Sequence, residues 1–406
     1  MSDGNKPEHF RISAQLAEDL IAERLQTLPA EAVPLAEATG RILCEDVIAE
    51  RDQPPFNRAT MDGIAVSSSA DVRSYTIAGV QAAGADAQTL ANAEDCFEVM
   101  TGAAMPAGAD TVIPVERISI QDGVAIIEEG YTAEPQQFVH QRGSDHREGD
   151  GLMRPGTRIG PPEMAALTAA GSATVKVSCL PAIAVVSTGD ELVDVGEAMG
   201  DTQIRSSNDR AIEASLRQRG FTKVSRHTIA DDREALHSTL SRLLDANDVL
   251  ILSGGVSMGK FDYIPGVLNE LGIEVVFHKI TQRPGLPMWF GVHKTNGKPV
   301  FALPGNPVST LVCLTRYVLP AIQQMSAAGD ITAEYATLST ELKFEPALSW
   351  FVPVTLESGS TGLIATPKLT NTSGDFVALA NTAGFIELDA AQNHFAEGYT
   401  ARLFRW

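Results

Sequence analysis

The stretch Ser253-Gly254-Gly255-Val256-Ser257-Met258-Gly259 follows an apolar run and leads into a helical pattern. Glycines let backbone N–H groups come close to an anion, and a helix start adds favourable partial charge. Gly254, Gly255, Ser257 and Gly259 are therefore candidate phosphate contacts, although a tight strand-to-helix turn needs the same residues. No Gly-Lys-Ser/Thr follows, so this is not a Walker loop, and G-x-G-x-x-G is absent. A second strand-to-helix link is Leu303-Pro304-Gly305-Asn306-Pro307-Val308-Ser309. Asn306 suits the N-cap and Pro307 the first helical position. A good cap explains this segment alone. Its expected place at the same sheet edge adds Pro304, Gly305 and Asn306 to the candidates.

Carboxylates cluster around these loops in the sequence. Asp190 and Glu191 follow one strand, Asp231 and Asp232 open a helix, and Asp262 sits just after the glycine loop. Acidic residues at helix starts are often only dipole partners, which is the better reading of Asp232. Several carboxylates at the carboxyl ends of different strands could place one or two ligands on Mg²⁺ beside a phosphate, with Asp190, Glu191 and Asp262 as the candidates. The basic pair Lys279 and Arg283 ends a strand and enters a Pro-Gly turn. Arg grips an oxyanion with two donors, and Lys supplies a point charge.

Other features carry less. His140 and His146 stand near Arg142 and Arg147, but the spacing fits no zinc pattern, and both read as surface loop residues. No G-x-S-x-G elbow exists, which rejects a serine hydrolase. Trp289 and Phe290 read as packing.

The elements that must position these groups follow from periodicity. Residues 12–28 predict a helix capped by Ser13, and 35–43 a short second one. Between about 64 and 145 short β runs alternate with Gly and Pro turns. From 180 to 325, strand-like and helical segments alternate regularly, which predicts a parallel sheet with helices on both faces. Ligands of such sheets sit beyond the carboxyl ends of the strands. Residues 330–406 predict a small β-barrel or sandwich.

The bulk composition narrows the classes. With 406 residues, 44% hydrophobic and 20% charged, the chain can bury several cores. A net charge of -20 argues against nucleic acid as a partner. The four cysteines form no CxxC pair, which fits a reducing compartment. No apolar run approaches the roughly 18 residues of a membrane span, and the polar N-terminus is no signal peptide. The cytoplasm is the expected compartment.

Taken in order, the segments PPFNRATMDGIAV (54–66), MTGAAMPAGADTVIPVE (100–116), GSDHREGD (143–150), STGDEL (187–192), SNDRAIEASL (207–216), SGGVSMGKFDY (253–263), KITQRPGLP (279–287) and LPGNPVS (303–309) resemble the molybdopterin molybdenumtransferase family, the MoeA type also seen as the E domain of gephyrin. The resemblance covers essentially the whole chain. It implies a multidomain α/β-plus-β fold with a central parallel MogA-like domain at 179–328. A helical linker domain would comprise 1–48 and 146–178, a mainly β insertion 49–145, and a C-terminal β-barrel 329–406, in an elongated homodimer. It implies a transferase that takes adenylylated molybdopterin, binds molybdate and, with Mg²⁺, releases AMP and the finished cofactor. Asp62, Asp145, Glu191, Asp231 and Asp262 match its catalytic acidic positions, with Asp62 reaching the opposite subunit's site. Lys279 and Arg283 match basic positions, and Ser373 matches a serine near molybdate. The adenylyltransferase and molybdoenzyme acceptors are the partners implied.

Two departures stand out. Leu286 occupies a position often held by Lys, and Phe351-Val352-Pro353 replaces a segment that commonly carries a basic residue. Both remove positive charge near the expected molybdate, with Arg58, Arg205 or Arg210 as possible compensation and tungstate as another possible oxyanion. Two alternatives remain at this stage: a molybdopterin adenylyltransferase, because the central domain at 179–328 resembles that stand-alone module, and a non-catalytic scaffold binding molybdopterin or a peptide.

Overall fold

The computed structural model describes residues 9–70, 72–255, 263–329, 332–360 and 362–406. The chain forms two compact units. One comprises the chain up to Cys44, Pro155–Gly160 and Val175–Trp406; the other comprises Glu45–Arg154 and Pro161–Thr174.

The first unit is built on a seven-stranded sheet. Its strands are β1 (His9–Ile12), β2 (Ile183–Thr188), β3 (Val224–Ile229), β4 (Val249–Ser253), β5 (Ile273–Ile280), β6 (Trp289–His293) and β7 (Pro299–Leu303), in the order β1-β5-β6-β7-β4-β2-β3. Every residue of β2, β4 and β7 is buried. Such unbroken apolar runs belong to strands covered on both faces. Alternate residues supply the two cores: Ile183, Val185, Ile251 and Phe301 face one side, and Ala184, Val186, Leu250 and Ala302 the other.

Strands β3, β2, β4 and β7 run parallel, as the β-α alternation predicts. The sheet as a whole is mixed, because β6 pairs antiparallel with both β5 and β7. The sequence reading missed β6, taking Trp289 and Phe290 only as packing residues; both are indeed buried. The link from β5 to β6 is too short to hold a crossover helix, so the chain must return antiparallel.

The helices are α1 (Ala14–Arg24), α2 (Asn208–Gln218), α3 (Arg233–Ala246), α4 (Ile264–Glu270), α5 (Pro307–Cys313) and α6 (Leu319–Met325). Ser13 caps α1 by accepting from the Leu16 amide, and Asp232 caps α3 by accepting from that of Ala235 at 2.8 Å. The predicted helix over 35–43 is only a 3-10 turn at Leu35–Glu37; Gly40 at φ +79° ends any continuation. The helix expected to begin at Pro307 is interrupted between α5 and α6 by a π-helical turn, Leu314–Val318. Pro320 lacks the N–H that would bond back to residue 316, so the ladder widens just before it.

Beyond α6 lies a closed barrel of β8 (Glu334–Leu338), β9 (Ser349–Gly359), β10 (Gly362–Pro367), β11 (Gly384–Leu388) and β12 (Thr400–Arg405), in the order β9-β10-β8-β12-β11 and back to β9. Of the two architectures expected from sequence, barrel or sandwich, this is the barrel. Gln282 and Arg283 pair in parallel with Ser349 and Trp350 of β9, tying the basic turn to the barrel.

The second unit holds a six-stranded sheet in the order Thr111–Pro114, Gly63–Val66, Asp95–Val99, Ser74–Gln81, Val124–Ile127, Ile118–Gln121. At Gly63 a Cβ would stand 2.0 Å from the Ile113 carbonyl oxygen, so only glycine admits this pairing next to Asp62.

Candidate active site

The ends of β2, β4 and β7 meet around a cavity of about 860 Å³ within the first unit. Gly254 and Gly255 follow β4 at φ +98° and +64°. A side chain at Gly255 would strike Ile264 at 2.6 Å, and one at Gly254 would meet the Thr188 carbonyl at 2.9 Å. These glycines are required by backbone geometry and by space, and they leave the loop's backbone bordering the cavity.

Asn208, at the start of α2, joins the two loops. Its Nδ2 donates to Ser253 Oγ and to the Gly305 carbonyl, each at 2.8 Å. The sequence reading included Asn208 in a motif without giving it a role, because an asparagine at a helix start reads as a cap. Thr188 also lines the cavity, and its buried Oγ1 has no hydrogen-bond partner. An orphaned polar atom in such a place suits a ligand's polar group or a water.

Glu191 and Asp231 line the same cavity. Asp190 Oδ1 accepts from the Asp231 amide at 3.1 Å, which brings the loops after β2 and β3 together. Glu191 is exposed. Arg205 lines the cavity and donates to the Asp194 carbonyl, while Arg210 pairs with the Asp194 carboxylate at 2.6 Å and lies outside the lining. Ser257, Gly259 and Asp262 lie outside the described residues.

A second cavity of about 620 Å³ adjoins the first, with Pro287, Pro304 and Asn306 in both walls. Arg283, Lys343, Ser309, Ser373 and Leu286 line it. The turn carrying Arg283 is held from beneath by buried Gln282, whose Nε2 donates to the Pro284 carbonyl at 3.1 Å and whose Oε1 accepts from Tyr317. Burial raises the Tyr317 pKa well above its usual value, so the phenol remains a donor. Asn306 occupies the N-cap position of α5, but its side chain makes no capping bond. Its Nδ2 instead donates to Ser373 Oγ at 2.7 Å. Lys279 borders neither cavity; its ammonium lies 5.1 Å from the centre of the Phe10 ring. Lys343 escaped the sequence reading because a lysine in a short strand carries no signal of its own. It pairs with Glu341 at 2.8 Å.

Asp62 and Asp145 belong to the second unit. Asp62 Oδ1 accepts from the Thr101 amide and hydroxyl at 2.7 and 2.9 Å, and these bonds hold its pKa below the usual carboxylate value. Asp145 Oδ1 lies 2.8 Å from His140 Nε2, and His140 Nδ1 lies 3.1 Å from Arg58 Nη2. A guanidinium can only donate, so Nδ1 accepts and Nε2–H points at Asp145. His140, read from sequence as a surface loop residue, thus orients a candidate catalytic carboxylate. Arg58 is engaged with it.

The arrangement can hold a phosphate or pterin body against glycine-loop backbone and place carboxylates beside it. A neighbouring basic, hydroxyl-rich pocket can hold an oxyanion.

Comparison with known proteins agrees with this reading. Residues 12–171 match the model of the MoeA N-terminal region (domain I and II), and residues 184–324 that of the probable molybdopterin binding domain. The molybdopterin molybdenumtransferase of Synechocystis sp. is 38% identical over 90% of this chain and 93% of its own length. That of Staphylococcus aureus (strain MRSA252) is 29% identical over 94% and 92%. A solved structure of a molybdopterin biosynthesis MoeA protein from Pyrococcus horikoshii superposes with a TM-score of 0.80 at 31% identity, covering 97% of this chain and 99% of that one.

Proposed function

Because this chain belongs to the molybdopterin molybdenumtransferase (MoeA) family, enzymes of molybdenum-cofactor biosynthesis, we propose that its substrate is adenylylated molybdopterin and that molybdate insertion releases AMP. The observation that carries this reading is the shared wall of the two cavities. Pro287, Pro304 and Asn306 border both, so an oxyanion held by Arg283 and Lys343 would lie next to a pterin held by the glycine loop. In this reading Gly254, Gly255, Pro304, Gly305 and Asn306 border the pterin phosphate, and Arg283, Ser309 and Ser373 hold molybdate.

Cleaving the phosphoanhydride breaks the bond from the AMP phosphorus to the bridging oxygen and forms one from that phosphorus to the oxygen of an attacking water. AMP leaves, and the terminal phosphate stays on the pterin. Catalysis of such a step is mostly positioning and neutralisation of charge. Glu191 and Asp231 offer hard carboxylate oxygens at the cavity wall, with Asp190 bonded beside them. That donor set fits Mg²⁺, which uses one or two carboxylates and substrate phosphates. When bound, the ion would offset the charge of the anhydride oxygens. Asp62 and Asp145, which Thr101 and His140 hold in fixed orientations, would complete the site from a second subunit of a homodimer.

The test is AMP release from adenylylated molybdopterin, with and without molybdate and Mg²⁺. Release that needs both supports the reading. If no AMP appears under any condition, with tungstate included and with Leu286→Lys, the substrate assignment fails and a peptide-binding role gains.

A further inference from the structure

A third cavity of about 490 Å³ lies in the first unit, among α1, the π turn, α6 and β12. It shares no lining residue with the two cavities above. Its wall includes Arg219, Thr315, Arg316, Arg402, Arg405 and Glu18.

Two observations point to a ligand. The first is a set of unmade hydrogen bonds. Among the described residues, four buried side-chain polar atoms have no partner: Arg41 Nε, Thr188 Oγ1, Thr315 Oγ1 and Arg316 Nη1. Thr188 lines the candidate active site, while Thr315 and Arg316 line this cavity. These two are consecutive residues of the π turn, and such turns recur at functional sites. Arg316 is only 1% exposed.

The second observation is charge. Arg316 pairs with Glu18 and Glu387 at 2.8 and 3.0 Å, Arg402 with Glu18 at 3.3 Å, and Arg405 with Glu334 at 2.8 Å. Arg219 has no such partner. Its guanidinium donates only to the carbonyls of Ser215 and Arg405, at 3.1 and 3.0 Å, and among the described residues it makes no ion pair with a carboxylate. Four guanidiniums therefore meet three carboxylates, in a chain of net charge -20. Burial lowers the pKa of Arg219, which marks a cation partly stripped of water with nothing opposite it.

We propose that this cavity binds a small oxyanion-bearing molecule, a phosphate ester or a carboxylate, with Arg219 as its principal contact and the Thr315 hydroxyl as a second donor. Guanidinium recognises both head groups through paired N–H donors. The site is separate from the one that carries out the transfer, and the ligand is neither the pterin nor molybdate.

Isothermal titration of the full chain with inorganic phosphate, and separately with citrate, tests the proposal, with Arg219→Gln and Thr315→Val run beside the wild type. Arg219→Gln should weaken one binding event at least tenfold, and Thr315→Val at least threefold. Neither change should alter turnover in the absence of the added anion by more than twofold. Phosphate binding alone would identify a phosphate ester, and citrate binding alone a carboxylate. Thr315→Val is close to isosteric and decides the matter if Arg219→Gln does not fold. Isotherms of both variants that superpose on the wild type, or no binding of either anion, would mean that the cavity holds only water and would overturn the proposal.

Discussion

Asn306 Nδ2 donates to Ser373 Oγ at 2.7 Å, and the Val308 amide reaches the Ser373 carbonyl at 3.0 Å. One residue of the loop after β10 therefore engages the start of α5 with both its side chain and its backbone. The wall between the two cavities is set partly by the barrel.

Replacing Ser373 by Ala removes the side-chain bond and keeps the backbone one. A neutral hydrogen bond is worth about 1 kcal/mol, or roughly fivefold. The molybdate KM should rise by about that factor while kcat changes little, because Asn306 loses its anchor at the oxyanion wall. Steady-state kinetics against molybdate check this. An unchanged KM would separate Ser373 from oxyanion binding.

Glu191→Gln keeps the shape of the side chain and removes its charge. If that carboxylate helps to hold Mg²⁺, turnover should fall at least tenfold, about 1.4 kcal/mol of barrier. Excess Mg²⁺ should partly restore it. Wild-type turnover at limiting Mg²⁺ would exclude Glu191 from the metal site.

His140 acts on Asp145, so its replacements should differ in a graded way. His140→Phe removes the donor and should lower kcat about tenfold, an effect of roughly 1.4 kcal/mol. His140→Gln offers an N–H near the position of Nε2 and should recover part of the loss. Substrate KM should move little in either. Equal activity of all three proteins would show the bond to Asp145 to be structural only.

The stability of the first unit should depend on pH through Glu18. Burial alone would raise its pKa, but Arg316 and Arg402 outweigh that and hold it below the usual glutamate value. A carboxyl lowered in this way stabilises the fold fully above its unfolded value, near pH 4.5, and the contribution is lost as pH falls through the folded pKa. Melting temperature should drop below about pH 4.5, and Glu18→Gln should lower it at neutral pH by the equivalent of about 2 kcal/mol. Thermal melts from pH 3 to 8 on both proteins provide the comparison; parallel curves would remove Glu18 from the acid transition.

Leu286→Lys adds a cation to the pocket of Arg283 and Lys343. Two cations already line this pocket, so if it takes molybdate the third should lower molybdate KM about threefold or less, an effect below roughly 1 kcal/mol for partly exposed charges. Lys343→Met should act in the opposite direction. A Leu286→Lys gain above a hundredfold would mean that the native pocket lacks an effective cation.

The parallel core was legible because buried strands such as Val249–Ser253 and helices such as Arg233–Ala246 have strong, distinct periods. The Trp289–His293 strand was not, since its length and apolarity suit packing in any element. The π turn at Leu314–Val318 leaves the sequence period almost intact and depends on where Pro320 withholds its N–H. At the site, Glu191, Asp231 and Asn306 could be placed because they sit at strand or helix ends. The cap was read correctly as a position and wrongly as a bond, because the partner of Asn306 lies more than sixty residues away. His140 and Lys343 matter through contacts that no spacing rule encodes.

Strand β1 pairs with β5, His9 opposite Phe277 and Ile12 opposite Ile280. During synthesis at about 5–20 residues per second, the first strand waits roughly 15–50 s on the ribosome before its partner exists. For that interval the segment His9–Ile12 has no strand to pair with, and an unpaired strand edge invites pairing with another chain. The early part of the chain thus depends for its sheet partner on a segment translated roughly 260 residues later.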